Sequence, residues 1–414
     1  MASGAWVFGV VGSVLSLCAA PAAAQDRDRQ WALCLGEPGV EDERSIAACT
    51  ARIESGEEPP RRIAMALVNR AQKYQRLRDR ARAFADYDEA IRLDPSYADA
   101  FLHRGISHAI AGRHERAILD YDQVIRLEPS DKDAFYNRGL AYAALDQHDR
   151  AIEDYDQSLR LGPPHASTFH SRGISHAIAG RHERAIQDYD QAIRMEPTDK
   201  TAFYNRGLAY AALQKHDRAI EDFDRSLRLG LPESTTFHSR GISHAAMGRH
   251  DKAIEDFDDA IQIDPTNPIF FVDRADSWVA KNQRERAIDD YGQAIRLDPK
   301  DAATWNSRCW ERAILGRLEE ALADCEESLR LKPDAAYTLD SRGLVHLKAG
   351  RLDAALADYE VALKLDPEMV SALYARGVVR LRKGDKTGGE ADIAAAIKLQ
   401  TDIAREMAKY GVTP

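Results

Sequence analysis

Small, bulky and turn-forming positions along this chain repeat on one fixed period. Arg70, Arg104, Arg138, Arg172, Arg206, Arg240, Arg274, Arg308, Arg342 and Arg376 stand 34 residues apart without an insertion, so ten blocks run from Ala64 to residue 403. Counted from Ala64, position 8 is small throughout, from Ala71 and Gly105 to Gly377, with Cys309 in the eighth block. Position 20 is small as well, from Ala83 to Ala355 and then Gly389. Bulky rings fill position 4 (Phe101, Phe135, Phe169, Trp305) and position 24 (Tyr87, Tyr121, Tyr155, Phe223). Glycines near position 15 (Gly112, Gly180, Gly248) and prolines at position 32 (Pro95, Pro129, Pro299) punctuate most blocks. Each block therefore predicts a helix A, a turn and a helix B, closed by a residue that cannot continue a helix. One such hairpin cannot bury its apolar face alone, whereas stacked neighbours can.

These positions resemble the tetratricopeptide repeat family, with small residues at 8 and 20, large ones at 4 and 24, and proline at 32. Position 11 departs in part, with Tyr142 and Tyr210 but His108, His176 and His244. The resemblance implies an all-α, right-handed α-solenoid of ten helix-turn-helix units. It also implies helices A lining a concave groove and a role as a protein-binding scaffold. Positions 5 and 9 of helix A should then face a partner peptide or helix. In the second to sixth blocks they are Leu102, Ile106, Tyr136, Leu140, His170, Ile174, Tyr204, Leu208, His238 and Ile242. Beyond these the row becomes more polar, with Asp276, Asn306 and Asp340 among Trp310, Leu344, Tyr374 and Val378. Where the family has an apolar residue at 7 and a small or apolar one at 23, every block here has Arg and Asp. The double replacement predicts a ladder of Arg-carboxylate pairs between helices.

The ends differ from the blocks. An apolar stretch from Ala5 to Ala20, then Pro21 and Ala22-Ala23-Ala24, has the form of a secretory signal peptide, with cleavage expected after Ala24. Leu15-Ser16-Leu17-Cys18 offers lipidation as the alternative. Residues 25–63 form an N-terminal cap: a short helix around Trp31 to Leu35, a turn, and a second helix through Ile46, Cys49 and Ile53. Residues 64–403 are the repeats. A helix is expected to continue from Ile393 to Met407, with residues 404–414 ending the cap and presenting a polar face. Cleavage leaves four cysteines in two local pairs, Cys34 with Cys49 and Cys309 with Cys325, in a spacing unlike a zinc or redox motif. Cys309 and Cys325 replace the small residue at 8 and the ring at 24, which face each other within a unit, so two disulfides are expected in a periplasmic or secreted protein.

Composition narrows the function. Only 7% of residues are aromatic while 30% are charged, the formal charge is -10, and most arginines have acidic neighbours, which argues against nucleic acid as a partner. No phosphate loop or metal motif is present, and no segment outside the repeats is large enough for a catalytic domain; neither an enzyme nor a cofactor is expected. Gly105-Ile106-Ser107-His108-Ala109 imitates a hydrolase elbow, but it lies inside a helix, ends in Ala, and recurs twice. His114, His148, His182, His216 and His250 form a row at position 17, packing the turn in the structural reading and sensing metal or pH in the other. A monomeric scaffold for a protein partner is the leading expectation. An envelope protein responding to metal or pH, or an accessory arm of an envelope enzyme, is the alternative.

Overall fold

The computed structural model describes residues 22–414 apart from Pro38 and Pro232, with side chains from Asp26 onward. Among the described residues there are 23 helices and no strand, an α-solenoid of stacked helix pairs. The predicted leader lies outside the described residues up to Pro21, and the first helix, Ala22–Leu35, begins at the alanines of the expected cleavage site. That helix is longer than the short one expected around Trp31. No described helix is long and apolar enough to cross a membrane.

The helices keep the register of the repeat. Helix A spans positions 1 to 13 and helix B positions 17 to 30, as in Ala98–Ile110 with His114–Leu127 and Lys200–Ala212 with His216–Leu229. Helix A of repeat 1 departs, running Pro60–Arg76, because proline at the first helical position fixes φ and gives up an amide that would have no partner there. The residue at position 15 must enter the left-handed region to turn helix A into helix B. Glycine does so in repeats 2, 4, 6, 8, 9 and 10, but Arg78, Asp146, Gln214 and Asn282 do so with φ of 62°, 58°, 58° and 57°.

The described residues divide into two compact units, one up to Arg184 and one from Ala185 onward. In the first, the cap packs Trp31, Cys34, Ala48 and Cys49 around Ala66. The sulfurs of Cys34 and Cys49 are bonded, with Cα atoms 4.6 Å apart. In the repeats the ring at position 24 fills the space left at position 8. A β-carbon on Gly105 would stand 2.7 Å from the Tyr121 ring, and one on Gly139 2.7 Å from Tyr155. The second unit repeats this fit with Gly207 under Phe223 and Gly241 under Phe257. Repeat 8 replaces the small residue and ring by bonded Cys309 and Cys325, Cα atoms 5.5 Å apart.

The C-terminal end departs from the expected continuous helix. Helix B of repeat 10 stops at Leu399, and Gln400 turns to extended backbone with φ -141° and ψ 109°. The Gln400 amide donates to Asp402 and to Glu406, and a new helix, Ile403–Lys409, starts beyond it. This helix buries Ile403 and Met407, followed by Val412, in one cluster with Leu344, Tyr374 and Val378, and leaves Arg405 and Lys409 exposed on its other side. It lies on the helix A side of repeats 8 to 10, where the Tyr410 ring stands 5.4 Å from Trp310 and Arg382 donates to the Thr413 carbonyl at 2.9 Å.

Candidate functional site

Helix A turns positions 5 and 9 to one side, one turn apart, so each unit presents a face built from these two rows. In the first unit, Leu140 and Ile174 are exposed at position 9 and Ile106 is half-buried. In the second unit, Leu208 and Ile242 are 39% and 44% exposed. Position 5 behaves differently. Leu102, Tyr136, His170, Tyr204 and His238 are all half-buried. The Tyr136 ring lies 5.9 Å from the buried ring of Tyr155, and Tyr204 lies 5.9 Å from Phe223. His238 packs 4.8 Å from Phe270 and meets Asp273 at 2.5 Å. The position-5 rings thus support the core while showing one edge, and the free apolar surface belongs to position 9.

The same two rows change character toward the C-terminus. At position 9, Leu344 and Val378 are 1% and 0% exposed because Ile403, Met407 and Val412 pack in their cluster. At position 5, Asp340 is 8% exposed and accepts a 2.7 Å hydrogen bond from Ser371. Burial pushes its carboxyl up to about 6, with the Ser371 bond opposing the shift. Burial also raises the Asp276 carboxyl, against the hydrogen bond it accepts from Tyr291 at 2.5 Å. Glu311 is raised likewise, against its pairing with Arg284.

The charged rungs tie the repeats together. Arg138 Nε and Nη2 donate to Asp154 at 2.8 and 2.7 Å, and the same bidentate pair recurs at Arg206 with Asp222 and in repeats 1, 2 and 6 to 10. A second acceptor escaped the sequence reading. Nη1 of Arg138 reaches Asp122 of the preceding repeat at 2.6 Å, and Arg104, Arg172, Arg206, Arg240 and Arg274 make the same backward bond to Asp88, Asp156, Asp190, Asp224 and Asp258. Those aspartates all occupy position 25, a regularity visible in the chain and easily taken for ordinary surface acid. Gly292 stands there in repeat 7, so Arg308 loses its backward partner, and Arg312 joins Asp324 at 2.6 Å instead. The hydrogen bonds to Asp154 raise the already high Arg138 pKa against its burial, with Asp122 adding to the effect.

In the hydrolase-like motif, Ser107 Oγ is spent on the His103 carbonyl at 2.8 Å and on Gln75, while the His108 ring packs 4.7 Å from Phe84. Among the described residues no three His, Cys, Asp or Glu side chains converge to hold a metal ion. The position-17 histidines open their B helices with Nδ1 buried and without a hydrogen-bond partner. Burial lowers the pKa of His103, at position 6, and of His108, His244 and His346, at position 11.

Family models described as tetratricopeptide repeat match residues 68–123, 111–166, 171–230, 272–336 and 341–402, and a further one matches 234–267. The chain belongs to the tetratricopeptide repeat family. Among solved structures, the C-terminal part of a tetratricopeptide repeat protein from Cytophaga hutchinsonii is 17% identical with a TM-score of 0.50, over 59% of this chain and 98% of that one. A tetratricopeptide repeat protein from Parabacteroides merdae is 20% identical with a TM-score of 0.46, over 60% and 98%. YrrB, described as a tetratricopeptide repeat protein with an unusual peptide-binding site, is 22% identical with a TM-score of 0.40, over 43% and 92%. No curated protein matches the chain.

Proposed function

We propose that this protein is a non-catalytic scaffold that holds a peptide or helix of a partner protein on the helix A face of repeats 2 to 6. The observation that carries the reading is the exposed position-9 row, Leu140 and Ile174 in one unit and Leu208 and Ile242 in the other. Single exposed leucines are common on proteins, but within each unit an apolar residue returns at one structural position of neighbouring repeats, and apolar patches of this kind mark partner surfaces. The position-5 rings beside it add large, rigid edges that lose little entropy on binding. Cys34–Cys49 and Cys309–Cys325, with the apolar leader, support a periplasmic or secreted location after cleavage at Ala24. The scaffold works as a monomer in this reading.

Photo-crosslinking in the native cell tests the proposal. A benzophenone side chain at Leu208 or Ile242 is expected to trap a partner protein, and one at Leu119, an equally apolar exposed residue on a helix B, is expected not to. Trapping through Leu119 alone moves the binding surface to the other side and overturns the assignment.

A further inference from the structure

Between the C-terminal helix and the A helices of repeats 8 to 10, with Tyr291 of the preceding helix B, lies a cavity of about 400 Å³, within the size range of small-ligand sites. Its walls carry the rings of Tyr291, Trp310, Tyr337 and Tyr410. No lysine or arginine is among the residues that line it. Its carboxylates are unequally satisfied. Glu311 is paired with Arg284, and Glu406 takes a 2.7 Å hydrogen bond from Gln400. Asp340 is buried, faces the cavity, and has the Ser371 hydroxyl for a hydrogen-bond donor with no ion pair among the described residues. Asn306 lines the same cavity with its Oδ1 buried and without any hydrogen-bond donor.

An ionised carboxylate out of water is costly unless a cation or several donors face it, and a buried amide oxygen without a donor carries its own desolvation penalty. Both deficits lie in one cavity whose walls are aromatic, and ring faces attract cations. A neutral or anionic guest would leave Asp340 uncompensated. A quaternary ammonium would satisfy its charge but could donate nothing to Asn306.

We propose that this cavity binds a primary ammonium group, with Asp340 as its counter-ion, Asn306 Oδ1 accepting an N–H, and the rings of Trp310, Tyr337 and Tyr410 enclosing the attached carbons. The ammonium can come from a free alkylamine or from a lysine side chain. The site is separate from the open face of repeats 2 to 6 and does not rest on the function proposed for it.

Calorimetric titration of the full, disulfide-bonded chain tests it. n-Butylammonium is expected to bind, while 1-butanol, of the same length without the charge, is not. Asp340→Asn keeps the side-chain shape and the Ser371 contact, and is expected to weaken n-butylammonium by at least about tenfold while melting no lower than the parent. Ile242→Ala, on the open face, should leave the affinity unchanged. A short capped peptide with one central lysine, titrated alongside, separates the sources: binding of both ligands admits a protein lysine, and binding of n-butylammonium alone assigns the site to a small amine. Equal binding of 1-butanol, tighter binding of tetramethylammonium, or an unchanged affinity in Asp340→Asn would overturn the proposal.

Discussion

Within the second unit, repeats 5 and 6 and repeats 9 and 10 offer the same face at the same structural position in opposite states. Leu208 and Ile242 are about two-fifths exposed, whereas Leu344 and Val378 are sealed. Backbone register does not account for this, since both pairs sit at position 9 of a thirteen-residue helix A. The difference is the cover. Ile403, Met407 and Val412 lie with Leu344, Tyr374 and Val378 in one core, so the chain shows on itself that this face accepts an apolar helix. The covered half also tolerates buried acid, in Asp340, where the open half shows tyrosine and histidine edges.

The comparison breaks most severely if the cover is removed. Ending the chain at Gln400 takes away Ile403, Met407 and Val412 and exposes the residues beneath them. Three buried side chains at about 2 kcal/mol each give a loss of about 6 kcal/mol for the terminal repeats. Because repeat arrays unfold by neighbouring units, the loss should appear as early melting of repeats 9 and 10 with new binding of an apolar dye, while repeats 5 and 6 melt unchanged. A single unshifted transition would show that the C-terminal helix does not hold the face.

Next in size is the charged rung. Arg206 is about one-fifth exposed and serves Asp222 and Asp190 together. Arg206→Leu should cost about 2 to 4 kcal/mol, since it leaves the Asp222 carboxylate buried without its partner. Arg206→Leu with Asp222→Ala should recover much of that loss, because Asp190 is more exposed and can turn to water. Equal melting of the single and double variants would refute the coupling.

Asp340 distinguishes the covered half by its response to pH. Its folded pKa is raised to about 6 from 3.8, so the stability it contributes is fully present below its unfolded value and is lost as pH rises through about 6. Asp340→Asn should therefore stabilise the chain by on the order of 2 to 3 kcal/mol near about pH 8 and by almost nothing near about pH 4. A pH-independent difference between the two chains would mean that Asp340 does not titrate in that range. The smallest effect concerns the turns. Gln214 holds a φ of 58° that glycine adopts without strain, so Gln214→Gly should raise stability by about 1 kcal/mol in chemical denaturation, and no gain would remove the strain argument.

Much of this architecture is legible in the chain because the period is unbroken. Thirty-four residues set the lengths of both helices, and a glycine facing a ring at positions 8 and 24 sets how closely they approach. The Arg-to-Asp rung was legible for the same reason, since it replaces two residues at once. What escapes is anything one repeat does to another. The position-25 aspartates look like solvated helix charge until the backward reach of each arginine is seen. Tyr136 and Tyr204 read as free anchors, but they lean on Tyr155 and Phe223, so replacing them costs packing as well as surface. The break at Gln400 falls at position 31, where the other B helices also end; what the period does not carry is the short helix beyond it, Ile403–Lys409, and its packing against repeats 9 and 10.

The central claim is that the uncovered position-9 row is the partner surface. Titrating the crosslinked partner, once purified, against Leu208→Asp with Ile242→Asp tests it directly, with Leu119→Asp as the control on a helix B. The groove variant should lose about 2 kcal/mol or more of binding free energy, roughly thirtyfold in affinity, with little change in melting because both side chains are already exposed. The control should bind as the parent does. Full affinity in the groove variant, with loss in the Leu119 variant, would contradict the account.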